Sequence, residues 1–102
     1  MAAVKTKKDV SSILISHREE IEKFGVSRLG LFGSFAREKQ KKTSDIDLLV
    51  EFRKGKKNFR NFMHLAFYLE ELLHRKVELV TPESLSPYLK PSIIRNAEYV
   101  FE

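Results

Sequence analysis

The feature that most constrains the fold of this chain is an apolar segment that carries aspartates at alternate positions. Residues 45–52 read DIDLLVEF, in which Asp45 and Asp47 alternate with Ile46 and Leu48. Alternate residues of a strand point to opposite faces of a sheet, so the pattern predicts a strand with one apolar and one acidic face. Asp is among the residues that strands tolerate least. We therefore expect a functional reason for the two carboxylates.

A Gly-Ser corner precedes that strand. Residues 27–32 (SRLGLF) form a short apolar run that ends at Gly33 and predicts another strand. We expect Ser34 to cap a short helix that continues through Arg37. A glycine lets a phosphate approach the backbone closely, and the first turn of a helix offers free N–H groups to an anion. The corner therefore predicts a phosphate site, to which the Ser34 hydroxyl could add a bond.

The rest of the chain alternates helices and strands, which indicates an α+β fold in which helices pack on a small mixed sheet. The predicted order is α-β-α-β-α-β. Apolar spacing predicts a first helix with Asp9 as its N-cap and Gly25 at its end. The later elements are a long helix from Phe59 to about His74, a strand at Val77–Val80, a helical turn from Pro82, a short helix at 92–96 and an edge strand at 99–101.

A third acidic residue lies in the predicted third strand. Glu78 stands between Val77 and Leu79, where it could point across the sheet toward Asp45 and Asp47. Carboxylates two residues apart in a strand lie about 7 Å apart, close enough to reach one divalent cation or two neighbouring ones, and Mg²⁺ prefers such oxygen ligands. In a two-metal phosphoryl transfer, Glu78 would bind the ion that holds the attacking oxygen and help to deprotonate it. The alternative for Glu78 is a surface ion pair with Arg75 or Lys76.

Composition narrows the function further. The chain of 102 residues has no cysteine, which excludes disulfides, thiolate catalysis and cysteine-based zinc sites. Its net charge of +5 favours an anionic partner, namely a nucleotide, a nucleic acid or an acidic protein surface. The sequence lacks the apolar segment of a signal peptide and any run long enough to span a membrane. We therefore expect a cytoplasmic protein.

The two motifs together resemble those of a known family. GSFAR at 33–37 followed by SDIDLLV at 44–50 is similar to the minimal nucleotidyltransferase (MNT) branch of the DNA polymerase β-like nucleotidyltransferase superfamily. The likeness continues through LEELLHRK at 69–76 and VELVTPESL at 77–85, and so covers nearly the whole chain. It implies the polymerase β-like nucleotidyltransferase fold. The length of 102 residues by itself predicts a single domain over residues 1–102.

The resemblance implies a reaction and a role for each matching residue. Members of the family transfer a nucleoside monophosphate, usually AMP from ATP, with two Mg²⁺ ions. Gly33 and Ser34 would then hold the triphosphate, with Arg37 steadying the nucleotide or merely pairing with its neighbour Glu38. The metal ligands would be Asp45 and Asp47, joined by Glu78 as third ligand or base. Many such proteins are antitoxins of HEPN-domain ribonuclease toxins, and some place AMP on a tyrosine of the toxin.

Two departures from the family pattern leave alternatives open. Glu38 stands where relatives commonly have glycine, and Glu78 stands where they commonly have aspartate. Because Glu38 would add negative charge beside the phosphate site, a second hypothesis is a catalytically weak binding module that neutralises its partner by masking it. A third and less favoured hypothesis is direct nucleic-acid binding by the basic loops at 37–42 and 53–60. A homodimer is also left open.

Overall fold

The computed structural model describes residues 4–101 as a four-stranded mixed sheet with helices packed on it, so the predicted α+β class is confirmed. Within residues 4–101, every helix is too short or too polar to be a transmembrane segment. A single turn of 3-10 helix follows the third strand. The helices are α1 (Lys7–Ser16), α2 (Arg18–Glu22), α3 (Gly33–Ala36), α4 (Phe59–Leu73) and α5 (Lys90–Asn96), the strands are β1 (Val26–Phe32), β2 (Ile46–Phe52), β3 (Val77–Val80) and β4 (Glu98–Phe101), and the 3-10 turn is Pro82–Ser84.

The strands lie in the order β3-β2-β1-β4. Strand β1 pairs antiparallel with β2 and β4, whereas β2 and β3 are parallel and are joined through α4. The register places Phe32 opposite Asp47, and Asp47 opposite Glu78. The end of β1, the start of β2 and the centre of β3 therefore meet in one row across the sheet.

The core forms between one face of the sheet and the helices. Its members include fully buried residues of α1, α3 and α4, together with alternate residues of β2. Burying a large aliphatic side chain contributes about 1.5–3 kcal/mol, so this face provides most of the stability. Leu49 on the acidic face is also fully buried, although it lies outside the main core. The core residues of α1, α4 and β2 are Val10, Leu14, Leu65, Leu69, Leu73, Ile46, Leu48 and Val50.

The first helix differs from its prediction at both ends. Its N-cap is Thr6 rather than Asp9, because the two residues form a reciprocal capping box. The Thr6 hydroxyl accepts a bond from the Asp9 backbone N–H at 3.1 Å, and the Asp9 carboxylate accepts one from the Thr6 N–H at 3.2 Å. The helix is also not continuous, since His17 interrupts it with φ −110° and ψ 20° before α2 begins. Gly25 follows α2 with φ 90°, as expected for a helix stop.

Ser34 is not the cap of the short helix. Helix α3 begins one residue earlier, at Gly33, and its N-cap Phe32 has no side chain that could bond to the free N–H groups. Because α3 is only four residues long, its dipole contributes little to anion binding. The phosphate site expected here must depend instead on Gly33, the Ser34 hydroxyl and nearby cationic side chains.

The hydrogen bonds at the end of α3 determine the backbone conformation of Glu38. Its N–H donates to the Phe35 carbonyl at 3.2 Å, and the N–H of Lys39 donates to the Ser34 carbonyl at 2.8 Å. These two bonds form a Schellman motif, in which the residue after the C-cap adopts the left-handed conformation that favours glycine. Glu38 has φ 57° and an exposed side chain. Glutamate at position 38 therefore destabilises the fold, relative to glycine, through backbone strain at an exposed turn.

We expect Glu38→Gly to raise the free energy of unfolding by about 0.5–1 kcal/mol, because glycine removes the left-handed penalty. Lys39→Gly is the matched control, since Lys39 has no positive φ and glycine there can only add entropy to the unfolded chain. Urea denaturation of the three proteins measures the difference. A Glu38→Gly variant less stable than wild type would contradict the strain argument.

Candidate active site

The strand register brings together residues from three separate parts of the sequence. Gly33 directly follows Phe32, which pairs with Asp47, and Asp47 in turn pairs with Glu78. Asp45 lies one residue before β2 begins. The structure thus places the Gly-Ser corner against Asp47, and Asp47 beside Glu78.

The contact between Gly33 and Asp47 leaves no room for a side chain at position 33 unless Asp47 moves. Gly33 has φ +74°, and a Cβ built on it would collide with the Asp47 carboxylate. The carboxylate therefore lies directly against the backbone of the turn. Only glycine satisfies both the backbone conformation and this approach.

Asp47 is in an unfavourable environment for a charge. It is half-buried, and burial is the largest cause that raises its pKa to about 6 from the usual 3.8. The Glu78 carboxyl, within hydrogen-bonding reach, and the negative charge of Asp45 raise the pKa further, whereas the Arg37 guanidinium lowers it. The structure therefore brings Asp45, Asp47, Glu78 and Arg37 into one electrostatic cluster.

Ser34 and Arg37 lie at the border of this cluster. Ser34 is partly exposed in the first turn of α3, next to Gly33, and Arg37 is the exposed C-cap of the same helix. Arg37 is close enough to act on the Asp47 charge, and this agrees with a position beside the anion site.

The donor set fits a hard divalent cation. In residues 4–101, no group of three His, Cys, Asp or Glu side chains is arranged to enclose a metal ion by itself. Mg²⁺ needs only one or two protein carboxylates, because water and substrate phosphates complete its shell. Carboxylate oxygens are the hard ligands that such a cation prefers, and a bound cation would offset the negative charges that raise the pKa of Asp47. Asp45 and Asp47 therefore suffice as a protein half-site, with Glu78 beside them.

A cleft of about 210 Å³ opens beside Gly33. Sequence reasoning missed the contribution of α5, which supplies one wall. Ser92 and Asn96 are four residues apart on that helix, and the Asn96 amide donates to the Ser92 hydroxyl at 3.3 Å. Their spacing indicates a shared helix face, but nothing in the sequence shows what the face adjoins. The lining residues are Phe32, Gly33, Ala36, Arg37, Ser92, Ile93 and Asn96.

Arg75 is a second residue whose place the sequence did not reveal. The sequence suggests it as a surface partner of Glu78. In the structure its guanidinium donates to backbone carbonyls of the loop before Asp45, at 2.9 Å for Ser44 and 3.0 Å for Lys42. Backbone carbonyls are present at every residue, so no side-chain pattern could have indicated this partner.

The far end of the acidic face is occupied by a separate cluster. Glu51 accepts a bond from Arg28 at 3.2 Å and lies 3.4 Å from the Tyr99 hydroxyl. The Arg28 guanidinium also stacks over the Tyr99 ring at 3.8 Å. Glu51 shares the face of Asp47 but belongs to this structural cluster.

Comparison with known proteins identifies relatives of the whole chain. A sequence profile described as "Nucleotidyltransferase domain" matches residues 14–100. The chain is 38% identical over 99 residues to the protein adenylyltransferase MntA of Thermococcus cleftensis, covering 96% of this chain and 99% of the relative. It is 42% identical over 91 residues, or 89% of both chains, to a Methanocaldococcus jannaschii protein provisionally named a protein adenylyltransferase.

Solved structures share the fold. A structure provisionally described as a minimal nucleotidyltransferase matches with a TM-score of 0.81 and 28% identity, covering 94% of this chain and 97% of that chain. A complex of a tri-AMPylated Shewanella oneidensis HEPN toxin with an MNT antitoxin matches with a TM-score of 0.65 and 20% identity, covering 94% of this chain and 72% of that chain. At that identity the second match shows the fold alone.

We expect Asp47→Asn to stabilise the metal-free protein, and only above a certain pH. Because the folded-state pKa is raised, the contribution of Asp47 to stability is full below about pH 4 and is lost as the pH rises through 6. At pH 7 the free energy of unfolding of the variant should exceed that of wild type by about 1 kcal/mol, after allowance for solvent screening. At about pH 3.5 the two free energies should be equal. Urea denaturation in EDTA across this range measures it.

Asp9→Asn is the control of opposite sign. Backbone hydrogen bonds lower the pKa of Asp9, so its contribution is present above its unfolded pKa and is lost as the pH falls. This variant should destabilise the protein at pH 7. A pH-independent gain for Asp47→Asn would contradict the charge-crowding argument.

We expect Gly33→Ala to lower the free energy of unfolding by about 2 kcal/mol or more, because strain adds to the collision with Asp47. Gly55→Ala separates the two effects, since Gly55 has φ +80° but no heavy atom within 4 Å of an added Cβ. Thermal unfolding should show a loss for Gly55→Ala of about half that size. Equal losses would mean that the Asp47 contact contributes nothing.

Proposed function

The chain belongs to the nucleotidyltransferase domain family, and we propose that it transfers AMP from ATP to a protein acceptor with the help of Mg²⁺. It is a nucleotidyltransferase, and a nucleotide is its substrate. The choice of AMP and of a protein acceptor is supported by the MntA relative, which is named for that activity and matches over nearly the full length of both chains. The observation that carries the proposal is the direct approach of the Asp47 carboxylate to the backbone of Gly33.

The proposed reaction is an in-line displacement at the α-phosphorus of ATP. An acceptor hydroxyl forms a new O–P bond, the α–β phosphoanhydride bond breaks, and pyrophosphate leaves. Gly33 lets the Asp47 carboxylate lie against the turn. The Ser34 hydroxyl can donate to the triphosphate beside it, and Arg37 can offset the charge of the phosphates. Glu78 stands next to Asp47 and would take the proton from the attacking hydroxyl.

Asp45 and Asp47 are the residues that would hold the cation, with Glu78 as a further oxygen ligand. When bound, Mg²⁺ supplies charge neutralisation of the phosphates and orientation of the attacking and leaving oxygens. Two such ions would need all three carboxylates. The raised pKa of Asp47 means that cation and proton compete for the same group.

A HEPN-domain toxin is the proposed acceptor. Support comes from the shared fold with the antitoxin partner of an AMPylated HEPN toxin and from identity to a protein adenylyltransferase. The net charge of +5 also favours association with anionic surfaces and nucleotides. In this proposal the chain binds the nucleotide and provides the general base, and the partner provides the attacking hydroxyl.

We expect label from α-³²P-ATP and Mg²⁺ to appear on a HEPN-domain protein of the same organism, and Asp45→Asn or Asp47→Asn to lower the rate by at least about 10²-fold. Removal of Mg²⁺ with EDTA should have the same effect. Gel autoradiography with tryptic mapping of the label measures transfer and locates the acceptor residue.

Glu51→Gln is the matched control, because Glu51 lies on the same strand and face as Asp47 but bonds to Arg28 and lies beside Tyr99. It should retain transfer within about threefold, since it is remote from the reacting phosphate. A stable complex without label, whose toxin is still neutralised after Asp47→Asn, would instead identify the chain as a masking module.

A further inference from the structure

The guanidinium of Arg75 bonds to two segments that are distant in sequence. Its Nε and Nη2 atoms donate to the Val4 carbonyl at 3.3 and 2.8 Å. Its Nη1 atom faces three carbonyls of the loop between α3 and β2, at 3.3 Å for Lys41, 3.0 Å for Lys42 and 2.9 Å for Ser44. One side chain thus ties the start of the described chain to the loop that leads into Asp45.

These bonds hold the backbone on one side of Asp45, and the neighbouring residue holds the other. The Ser44 carbonyl belongs to the peptide group that precedes Asp45 and bonds to Arg75. The Ile46 N–H belongs to the peptide group that follows Asp45 and donates to the Lys76 carbonyl at 2.9 Å. Because both peptide groups that flank Asp45 are hydrogen-bonded, its φ and ψ angles and the direction of its Cα–Cβ bond are held as well.

Arg75 also contacts the other half of the site. Its guanidinium carbon lies 5.0 Å from the centre of the Phe35 ring, and Phe35 is fully buried in α3, one residue after Ser34. This cation–π contact links the helix of the Gly-Ser corner to the same side chain that holds the Asp45 loop. The two halves of the site therefore share one support.

We propose that Arg75 is a positioning residue, which acts through the backbone that precedes Asp45 to orient this carboxylate for cation binding. The inference rests on the proposed metal role of Asp45. Arginine is required because its planar group carries five N–H donors in a fixed fork, whereas lysine has three on a single nitrogen and cannot span Val4 and Ser44 together.

The test compares Mn²⁺ binding and amide exchange in wild type and Arg75→Lys, without ATP or any acceptor. We expect the Kd for Mn²⁺, measured by calorimetry on the full chain, to rise at least about fivefold, the lower end of coupling between sites. Hydrogen exchange of the Ser44 and Ile46 amides, followed by NMR, should accelerate, because the loop loses its anchor.

Arg53→Lys is the matched control for a general loss of stability. Arg53 also donates to backbone carbonyls, to Val26 at 3.4 Å and Glu22 at 3.3 Å, but these lie away from the acidic cluster. It should change the Mn²⁺ Kd by less than about twofold. A rise equal to that of Arg75→Lys would assign the effect to stability and overturn the inference.

A double-mutant comparison tests whether Arg75 acts through Asp45. In an Asp45→Asn background, Arg75→Lys should weaken Mn²⁺ binding no further. An undiminished effect in that background, or unchanged exchange of Ser44 and Ile46, would contradict the inference. A wild-type chain that binds no Mn²⁺ would contradict the proposed metal site itself, and faster exchange in Arg75→Lys would then still support the fixing of the loop.

Discussion

The contact between Gly33 and the Asp47 carboxylate is the constraint on which the site depends. It follows from one register, that of β1 against β2, which places Phe32 opposite Asp47. A shift of one residue would turn every carboxylate of β2 toward the core and every core residue toward the site, because side chains alternate along a strand. The buried residues of β2 therefore specify the chemistry of the site as well as the stability of the sheet.

The same arrangement makes the site electrostatically costly. Asp47 is half-buried beside two other carboxylates, and the Arg37 guanidinium opposes their effect on its pKa. A group that hydrophobic packing has placed in such surroundings favours a proton or a cation. The cost illustrates a general trade-off between stability and function, because residues suited to bind substrate or metal are often not those that would most stabilise the ligand-free protein.

The sequence motifs predicted the acidic strand of Asp45 and Asp47 and the turn at Gly33, because local chemistry determines both. Alternation placed Asp45 and Asp47 on one face, and only glycine suits the conformation and closeness found at residue 33. The same reasoning failed at Ser34 and Asp9, where the observed N-caps, Phe32 and Thr6, lie two and three residues before the positions that capping preferences suggested. Those preferences are shared by several neighbouring residues, and packing chooses between them.

The sequence by itself determined the fold class, the run of helices and strands and the acidic residues, since periodicity and turn chemistry are local properties. The tertiary structure alone decided that Glu78 pairs with Asp47, that α5 forms a wall of the cleft beside Gly33, and that Arg75 holds the loop before Asp45. These arrangements depend on strand order and on backbone carbonyls far apart in the chain. Every residue has such a carbonyl, so only the folded path of the chain selects which of them a side chain meets.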